Sequence, residues 1–262
     1  MTTTSAPESV TDWLDLRDRV AVVTGAAGGI GAAIALELAR NGMRLAVLDL
    51  NRDGAVETAD RAADLGVASV GLGIDITDSA SVGSAAELVT EKFGGADVLI
   101  NNAGIMRAGD LATVALDDWQ RVLDVNLTGY LLCSQAFGAS MREQGRGSIV
   151  HISSISASHP QPSSGAYSPG KAAVSMLSRT LAFEWGPYGV RSNVLAPGMT
   201  RTPLTESFYT TRECSKPAVA SSRYVASAPH KISPTPQCGW RATAPVTSAA
   251  RRSRWTAGSP RR

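Results

Sequence analysis

Val20-Ala21-Val22-Val23-Thr24-Gly25-Ala26-Ala27-Gly28-Gly29-Ile30-Gly31 decides how the rest of the sequence is read. Four apolar, mostly β-branched residues run straight into a glycine-rich turn, and a helical pattern begins at Ile30. Glycines at a strand-to-helix junction permit a tight turn. They also let a pyrophosphate approach backbone N–H groups at a helix N-terminus, where the helix dipole favours negative charge. A bare run of glycines is more often only a loop; the strand before it and the helix after it point to a dinucleotide.

Outward from this turn, short β-branched runs alternate with longer helical patterns. Strands are expected at Val20–Thr24, Arg44–Asp49, Ser69–Asp75, Asp97–Asn101, Ser148–Ile152 and Val190–Leu195. They are mostly apolar on both faces, as strands covered by helices on two sides should be. Apolar residues at three- and four-residue spacing predict helices over Ile30–Asn41, Arg52–Leu65, Ser79–Phe93, Leu116–Met141 and Tyr167–Trp185. Gly42 and Gly66 follow two of them, where a left-handed cap is expected. The alternation predicts an α/β fold with a doubly wound parallel sheet, formed by one domain over residues 16–209. Residues 1–15 are expected to be a flexible leader, with neither the basic start nor the apolar stretch of a secretory signal.

The glycine pattern Gly25-x-x-x-Gly29-x-Gly31, preceded by Thr24, resembles the short-chain dehydrogenase/reductase family rather than the GxGxxG of longer-chain dehydrogenases. Other motifs follow in the family's order. Asp49 closes the second strand some twenty residues beyond the glycines, where an acid accepts hydrogen bonds from the adenosine ribose and repels a 2′-phosphate. Gly28 stands where NADP-using relatives often carry a basic residue. NAD is therefore favoured over NADP, although Arg52 could reach a 2′-phosphate and Asp49 could simply cap a helix. Asp75 resembles the family acid that meets the adenine, with Ile76 beside it. Asn101-Asn102-Ala103-Gly104 matches the family's NNAG, in which Asn102 approaches the cofactor and braces the sheet.

Tyr167-Ser168-Pro169-Gly170-Lys171 puts a phenol and an amine four residues apart, on one helix face. Alone, such a pair is more often a solvated surface feature. An ammonium there would lower the phenol's pKa, so that Tyr167 could exchange a proton with a carbonyl oxygen near neutral pH. Ser154 lies thirteen residues upstream of Tyr167, the family separation, and is preferred over Ser153 as the residue holding the substrate oxygen. Asn126 resembles the family asparagine that completes a proton relay through the lysine. Pro197-Gly198 resembles the family PG motif, whose backbone, with Thr202, contacts the carboxamide. The resemblance covers residues 20–205 and implies a seven-stranded sheet, hydride transfer between NAD(H) and a secondary alcohol or ketone, and Asn126, Ser154, Tyr167 and Lys171 as catalytic residues. By the same resemblance, Gly25, Gly29, Ile30, Gly31, Asp49, Asp75, Ile76, Asn102, Tyr167, Lys171, Pro197 and Thr202 bind the cofactor. Substrate contacts are expected from Ile155, Ser156, His159 to Gln161 and the segment after Pro203.

Composition narrows the remaining classes. The 262 residues are 44% hydrophobic, and no apolar run approaches the roughly 18 residues of a membrane span. A cytoplasmic protein without membrane contact is expected. Cys133, Cys214 and Cys238 have no disulfide or zinc spacing, His151, His159 and His230 no ligand spacing, and no metal is expected. His151 is expected to be structural.

The formal charge of +2 hides a break. Residues 210–262 hold ten Lys or Arg and one acid, a balance of +9 that leaves −7 for residues 1–209. That low-complexity stretch, rich in Ser, Pro, Ala and Arg, departs from the family, which continues with further helices and a last strand ending near V-D-G-G. Read one base out of frame from Ala226 onward, its codons permit V-W-L-A and V-D-G-G in register, so a frameshift between about 205 and 225 is the expectation. A basic tail for nucleic acid is the rival, which the density of Pro and Ser argues against. Losing the last strand would bare the sheet edge and remove the surface through which family members form homotetramers or dimers. The alternative function is then a catalytically silent nucleotide-binding protein.

Overall fold

The computed structural model describes residues 15–200, together with Thr202 and Leu204. Most of the expected leader, and the tail with Cys214, Cys238 and His230, lie outside the described residues. Six parallel strands form one sheet: β1 (Val20–Thr24), β2 (Arg44–Asp49), β3 (Ser69–Gly73), β4 (Val98–Asn101), β5 (Gly147–Ile152) and β6 (Val190–Leu195). Their order is β3-β2-β1-β4-β5-β6. The chain winds outward from β1 on one side and then returns to β4 on the other. A crevice opens beyond the carboxyl ends of β1 and β4, where a doubly wound sheet binds its ligand.

Helices α1 (Gly29–Arg40), α2 (Arg52–Ala63), α3 (Ser79–Phe93), α4 (Leu116–Leu123), α5 (Gly129–Glu143) and α6 (Tyr167–Trp185) make the crossovers. Because successive side chains of a strand point to opposite faces, each central strand feeds two cores. Ala21 and Val23 of β1, with Leu45 and Val47 of β2, pack on Ala35, Leu36 and Ala39 of α1 and Ala55, Ala59 and Ala62 of α2. Val20 and Val22, with Ala46 and Leu48, face Val82, Val89 and Phe93 of α3, Tyr130, Phe137 and Met141 of α5, and Val174 of α6. Full burial of each Val or Leu contributes about 1.5–3 kcal/mol, so the two-sided strands dominate the stability.

Gly42 (φ +80°) and Gly66 (φ +88°) take the left-handed conformation expected beyond α1 and α2. Several expected boundaries shift by one or two residues, and two differences have a clear physical reason. β3 ends at Gly73 rather than Asp75, because the Asp75 carboxylate turns back to accept from the Thr77 N–H at 2.8 Å and its hydroxyl at 2.6 Å. The single helix expected over Leu116–Met141 is broken by a wide π turn at Asp124–Thr128, which carries Asn126.

On the outer side of β6 no further strand pairs among the described residues, and Val194 and Leu195 stay 37% and 49% exposed. No described helix is long and apolar enough to cross a membrane.

Candidate active site

The glycine turn is fixed by close approach. A Cβ on Gly31 would lie 2.3 Å from the Gly25 carbonyl oxygen and 2.5 Å from the Asn102 amide nitrogen, so only glycine lets α1 start this close to the end of β4. Gly25 (φ +64°) and Gly29 (φ +57°) take backbone angles that other residues rarely adopt. The Asn102 amide donates to the carbonyls of Thr24 at 3.0 Å and Gly25 at 2.8 Å, and the Thr24 hydroxyl accepts from the Asn102 N–H at 3.0 Å. Asn102 is thus first a brace between β4 and the turn. Helix α1 has no side-chain cap and no acid in its first turn, and space is open around Gly28. A pyrophosphate fits such a helix end: no side chain caps it, its first turn holds no acid, and nothing fills the space at Gly28.

Asp49 accepts from the Ala27 N–H and the Asn51 N–H, both at 2.9 Å, which ties the end of β2 to the turn. The cap of α2 is Asn51, whose side chain accepts from the Gly54 N–H, so Asp49 is not the helix cap of the competing reading. Asp75 is held below the usual carboxylate range, first by the Thr77 hydroxyl and then by its N–H. Ile76 is buried against Gly129 of α5, where a Cβ would meet its Cδ1 at 2.6 Å, so its side chain belongs to the core.

One cleft gathers Ile30, Asn102, Ser154, Tyr167, Lys171, Pro197 and Thr202. Of the expected substrate contacts, Ile155, Ser156 and Gln161 line it, joined by Met106, Met199 and Leu204, whereas His159 is an exposed residue paired with the Ser158 hydroxyl. Gly25, Gly29, Gly31, Asp49, Asp75 and Ile76 are not among its lining residues; Asp49 ends β2, and the others follow β1 and β3. The loops flanking the cleft are stitched together by Gly109 donating to the Ser163 carbonyl at 2.9 Å and Gly165 donating to that of Gly109 at 3.1 Å.

Tyr167 opens α6, and Pro169 is tolerated two residues later because first-turn N–H groups need no partner within the helix. One turn on, Lys171 is buried. Its amine donates to the Ile152 carbonyl at 2.8 Å and the Tyr130 hydroxyl at 3.2 Å, and lies 5.8 Å from the centre of the Tyr167 ring. Burial pulls the amine down to about 7. It also pushes the Tyr167 phenol above its ordinary value, which a hydrogen-bonding Ser154 hydroxyl offsets in part. For the protein alone, desolvation sets the direction of the Tyr167 shift, opposite to the lowering expected from an adjacent ammonium.

The Asn126 side chain, fully buried in the π turn, clamps Ile105, donating to its carbonyl and accepting from its N–H, each at 2.9 Å. It holds the loop after β4 beneath the cleft. Ser153 and Ser154 both line the cleft, but the Ser153 hydroxyl is committed to the Lys171 carbonyl at 2.9 Å, whereas that of Ser154 bonds the Tyr167 phenol. His151 is buried and bonded to Asn101 and Ser192, and burial, then the nearby Lys171, lowers it to about 4. Sequence reasoning missed Tyr130, whose place at core spacing on α5 marks it as an ordinary apolar position.

A sequence profile of the short chain dehydrogenase family matches residues 19–213. The chain belongs to that family. This short-chain dehydrogenase is 42% identical over 189 residues to a D-threitol dehydrogenase of Mycolicibacterium smegmatis, covering 72% of this chain and 73% of the relative. Among solved structures it is similar to an NAD+-bound xylitol dehydrogenase (34% identity, 70% and 71% coverage, TM-score 0.68). It is also similar to a protein of Beutenbergia cavernae, described as an NAD(P)-dependent gluconate 5-dehydrogenase, with NADP at low occupancy (38% identity, 76% and 80% coverage, TM-score 0.72). The chain is thus a member of an oxidoreductase family that uses nicotinamide cofactors.

Proposed function

We propose that this chain is built to transfer a hydride between NAD(H) and a secondary alcohol or ketone, with Tyr167 as general acid or base. The observation that carries this reading is the convergence of Ser154, Tyr167 and Lys171 on one cleft at the carboxyl end of the sheet, beside the turn that brings α1 to β4. When bound, the cofactor supplies the carbon that accepts or returns the hydride. Gly25, Gly29, Ile30 and Gly31 would take the pyrophosphate; Asp49, Asp75 and the Ile76 backbone the adenosine; Asn102, Lys171, Pro197 and Thr202 the nicotinamide end.

In the oxidation direction, Ser154 orients the substrate hydroxyl and Tyr167 takes its proton as the C–H electron pair leaves. In reduction, Tyr167 returns a proton to the carbonyl oxygen. Positive charge beside the phenol, on the Lys171 amine or on an oxidised nicotinamide ring, works against the upward shift that burial imposes on Tyr167. Asp49 supports NAD over NADP, since a 2′-phosphate would meet its carboxylate.

Polyols are the substrate class that two relatives' names suggest, one acting on D-threitol and one on xylitol. The cleft mixes Gln161, Ser156 and Thr200 with Met106, Met199 and Leu204, which suits a compact secondary alcohol carrying further hydroxyls.

The test is Tyr167→Phe, assayed with NAD against a panel of polyols and cyclic alcohols. Turnover at least 100-fold below wild type with unchanged NAD affinity is expected, and equal turnover would overturn the reading.

A second reading is a silent cofactor-binding protein, favoured by the exposure of Val194 and Leu195 on β6, which no further strand covers among the described residues. It rests on a one-base slip near residues 205–225, which we propose as the source of the aberrant ending. Resequencing the locus tests the slip. Restored turnover in the frame-corrected chain, with none in the present one, would support the second reading for this chain.

A further inference from the structure

Tyr130 is a fully buried phenol that the reaction as described does not use. Its hydroxyl donates to the Ile152 carbonyl at 3.2 Å, and that commitment turns an oxygen lone pair toward Lys171, whose amine donates to it at 3.2 Å. The same amine reaches the Ile152 carbonyl at 2.8 Å, so amine, phenol and carbonyl form a closed triangle under the cleft floor. Tyr130 is itself locked. Its ring stacks on His151 with centroids 5.9 Å apart, and its carbonyl accepts from Asn101 at 3.3 Å and from Ser134 at 2.6 Å.

A lysine side chain has four rotatable carbons and pays a high entropic cost to stay in one place. Here two acceptors hold the amine, one fixed in the backbone of β5 and one on a phenol that cannot turn. In the ammonium form two N–H bonds are thereby spent, and the third is left for the cleft, which Lys171 lines. We propose that Tyr130 is a positioning residue for this reaction, which fixes the Lys171 amine against Ile152 so that its free N–H faces the cofactor side of the cleft. The proposal rests on the hydride-transfer reading, in which Lys171 serves the nicotinamide end.

The titratable groups around the amine are Tyr130 on α5, Tyr167 on α6 and His151 on β5; Cys133, one turn beyond Tyr130, is also buried, and burial pushes it up to about 12. Burial holds Tyr130 well above its ordinary value, and His151 is lowered to about 4. Both are therefore neutral around pH 7, and a change in the Lys171 titration on removing the Tyr130 hydroxyl reports the lost acceptor.

The experiment is Tyr130→Phe, read first by 15N NMR titration of the Lys171 amine in the cofactor-free protein. Losing an acceptor disfavours the ammonium, so proton affinity should fall at least 3-fold and the midpoint move to lower pH. With 3-fluorotyrosine at 130, which keeps the shape and weakens the acceptor, a smaller shift of the same sign is expected and covers the case in which the Phe variant does not fold. On the best alcohol of the panel, kcat should fall about 10-fold with KM within 2-fold.

An unmoved titration in both proteins, whatever their melting temperatures, would overturn the proposal. An intact turnover in Tyr167→Phe would sink the hydride-transfer reading instead. The amine titration needs no substrate and separates the two failures.

Discussion

The Asn102 side-chain amide donates to the Gly25 carbonyl oxygen at 2.8 Å, so the end of β4 and the turn after β1 behave as one rigid piece. Asn102→Ala removes this bond and the one to Thr24, leaving two carbonyls at a part-buried site short of a donor. Each such loss costs about 1–3 kcal/mol. We expect a fall in Tm of several degrees and NAD affinity weakened about 10-fold, measured by thermal unfolding and by titration calorimetry. Unchanged affinity would mean that the turn keeps its shape without the brace.

Gly31→Ala tests the close approach directly. The new methyl would sit 2.3 Å from the Gly25 carbonyl oxygen, a backbone atom that cannot rotate away. Overpacking of this kind costs about 1–3 kcal/mol, and the strain falls on the turn. A loss of NAD affinity exceeding 10-fold, with helix content by circular dichroism within a few per cent of wild type, is the expected outcome.

Asp49→Ser should change cofactor choice. The carboxylate is held by two backbone N–H groups at 2.9 Å, and removing its charge removes the repulsion of a 2′-phosphate. The ratio of NADP to NAD affinity should rise about 10–100-fold. A ratio that does not move would assign Asp49 to structure alone.

His151 predicts the acid limb of stability. Its folded pKa of about 4 lies below the ordinary 6.5. As pH falls from 6.5 toward 4, the unfolded chain binds a proton that the folded chain does not, and stability declines through that window. Below about 4 both states carry the proton and the loss is complete, at roughly 3 kcal/mol. His151→Asn should flatten urea midpoints between pH 4 and 6.5; an identical slope in the variant would count against this account.

Lys171 acts higher up. Its folded value of about 7 is below the ordinary 10.5, so burying the charged amine destabilises the protein fully below pH 7. The penalty is relieved as pH rises from 7, where the folded amine loses its proton and the unfolded one keeps it. Buried Tyr130, Tyr167 and Cys133 oppose this only once the unfolded chain begins to lose their protons, above about pH 8.5. Relative to Lys171→Met, the wild type should therefore gain stability between pH 7 and 8.5.

The sheet was legible because its strands are buried on both faces and read as apolar runs; β1, β2 and β6 occupy the expected residues. The ends of β3 and of α1 shifted by one or two positions, since an Asx-type turn at Asp75 and the cap at Asn41 are set by single hydrogen bonds. Periodicity could not show the break at Asp124–Thr128, because apolar spacing on either side of it fits one helix nearly as well as two. The motif residues that line the cleft were singled out by their spacing together with the family resemblance. What spacing could not carry was their environment: the direction of the Tyr167 shift depends on burial, and the partner of Lys171 is a phenol from another helix whose residue type gives no signal.

The π turn at Asp124–Thr128 has a consequence for how this region tolerates insertions and deletions. A π turn holds one residue more than an α turn, so everything beyond it is rotated by about 100° relative to an unbroken helix. Deleting a single codon there would leave a regular helix and most of the sheet intact. It would also swing Asn126 off Ile105, or Tyr130 away from Lys171, because one helical phase cannot serve both partners. The reading frame of this helix, counted in single residues, is therefore as constrained as the identities of the residues it presents.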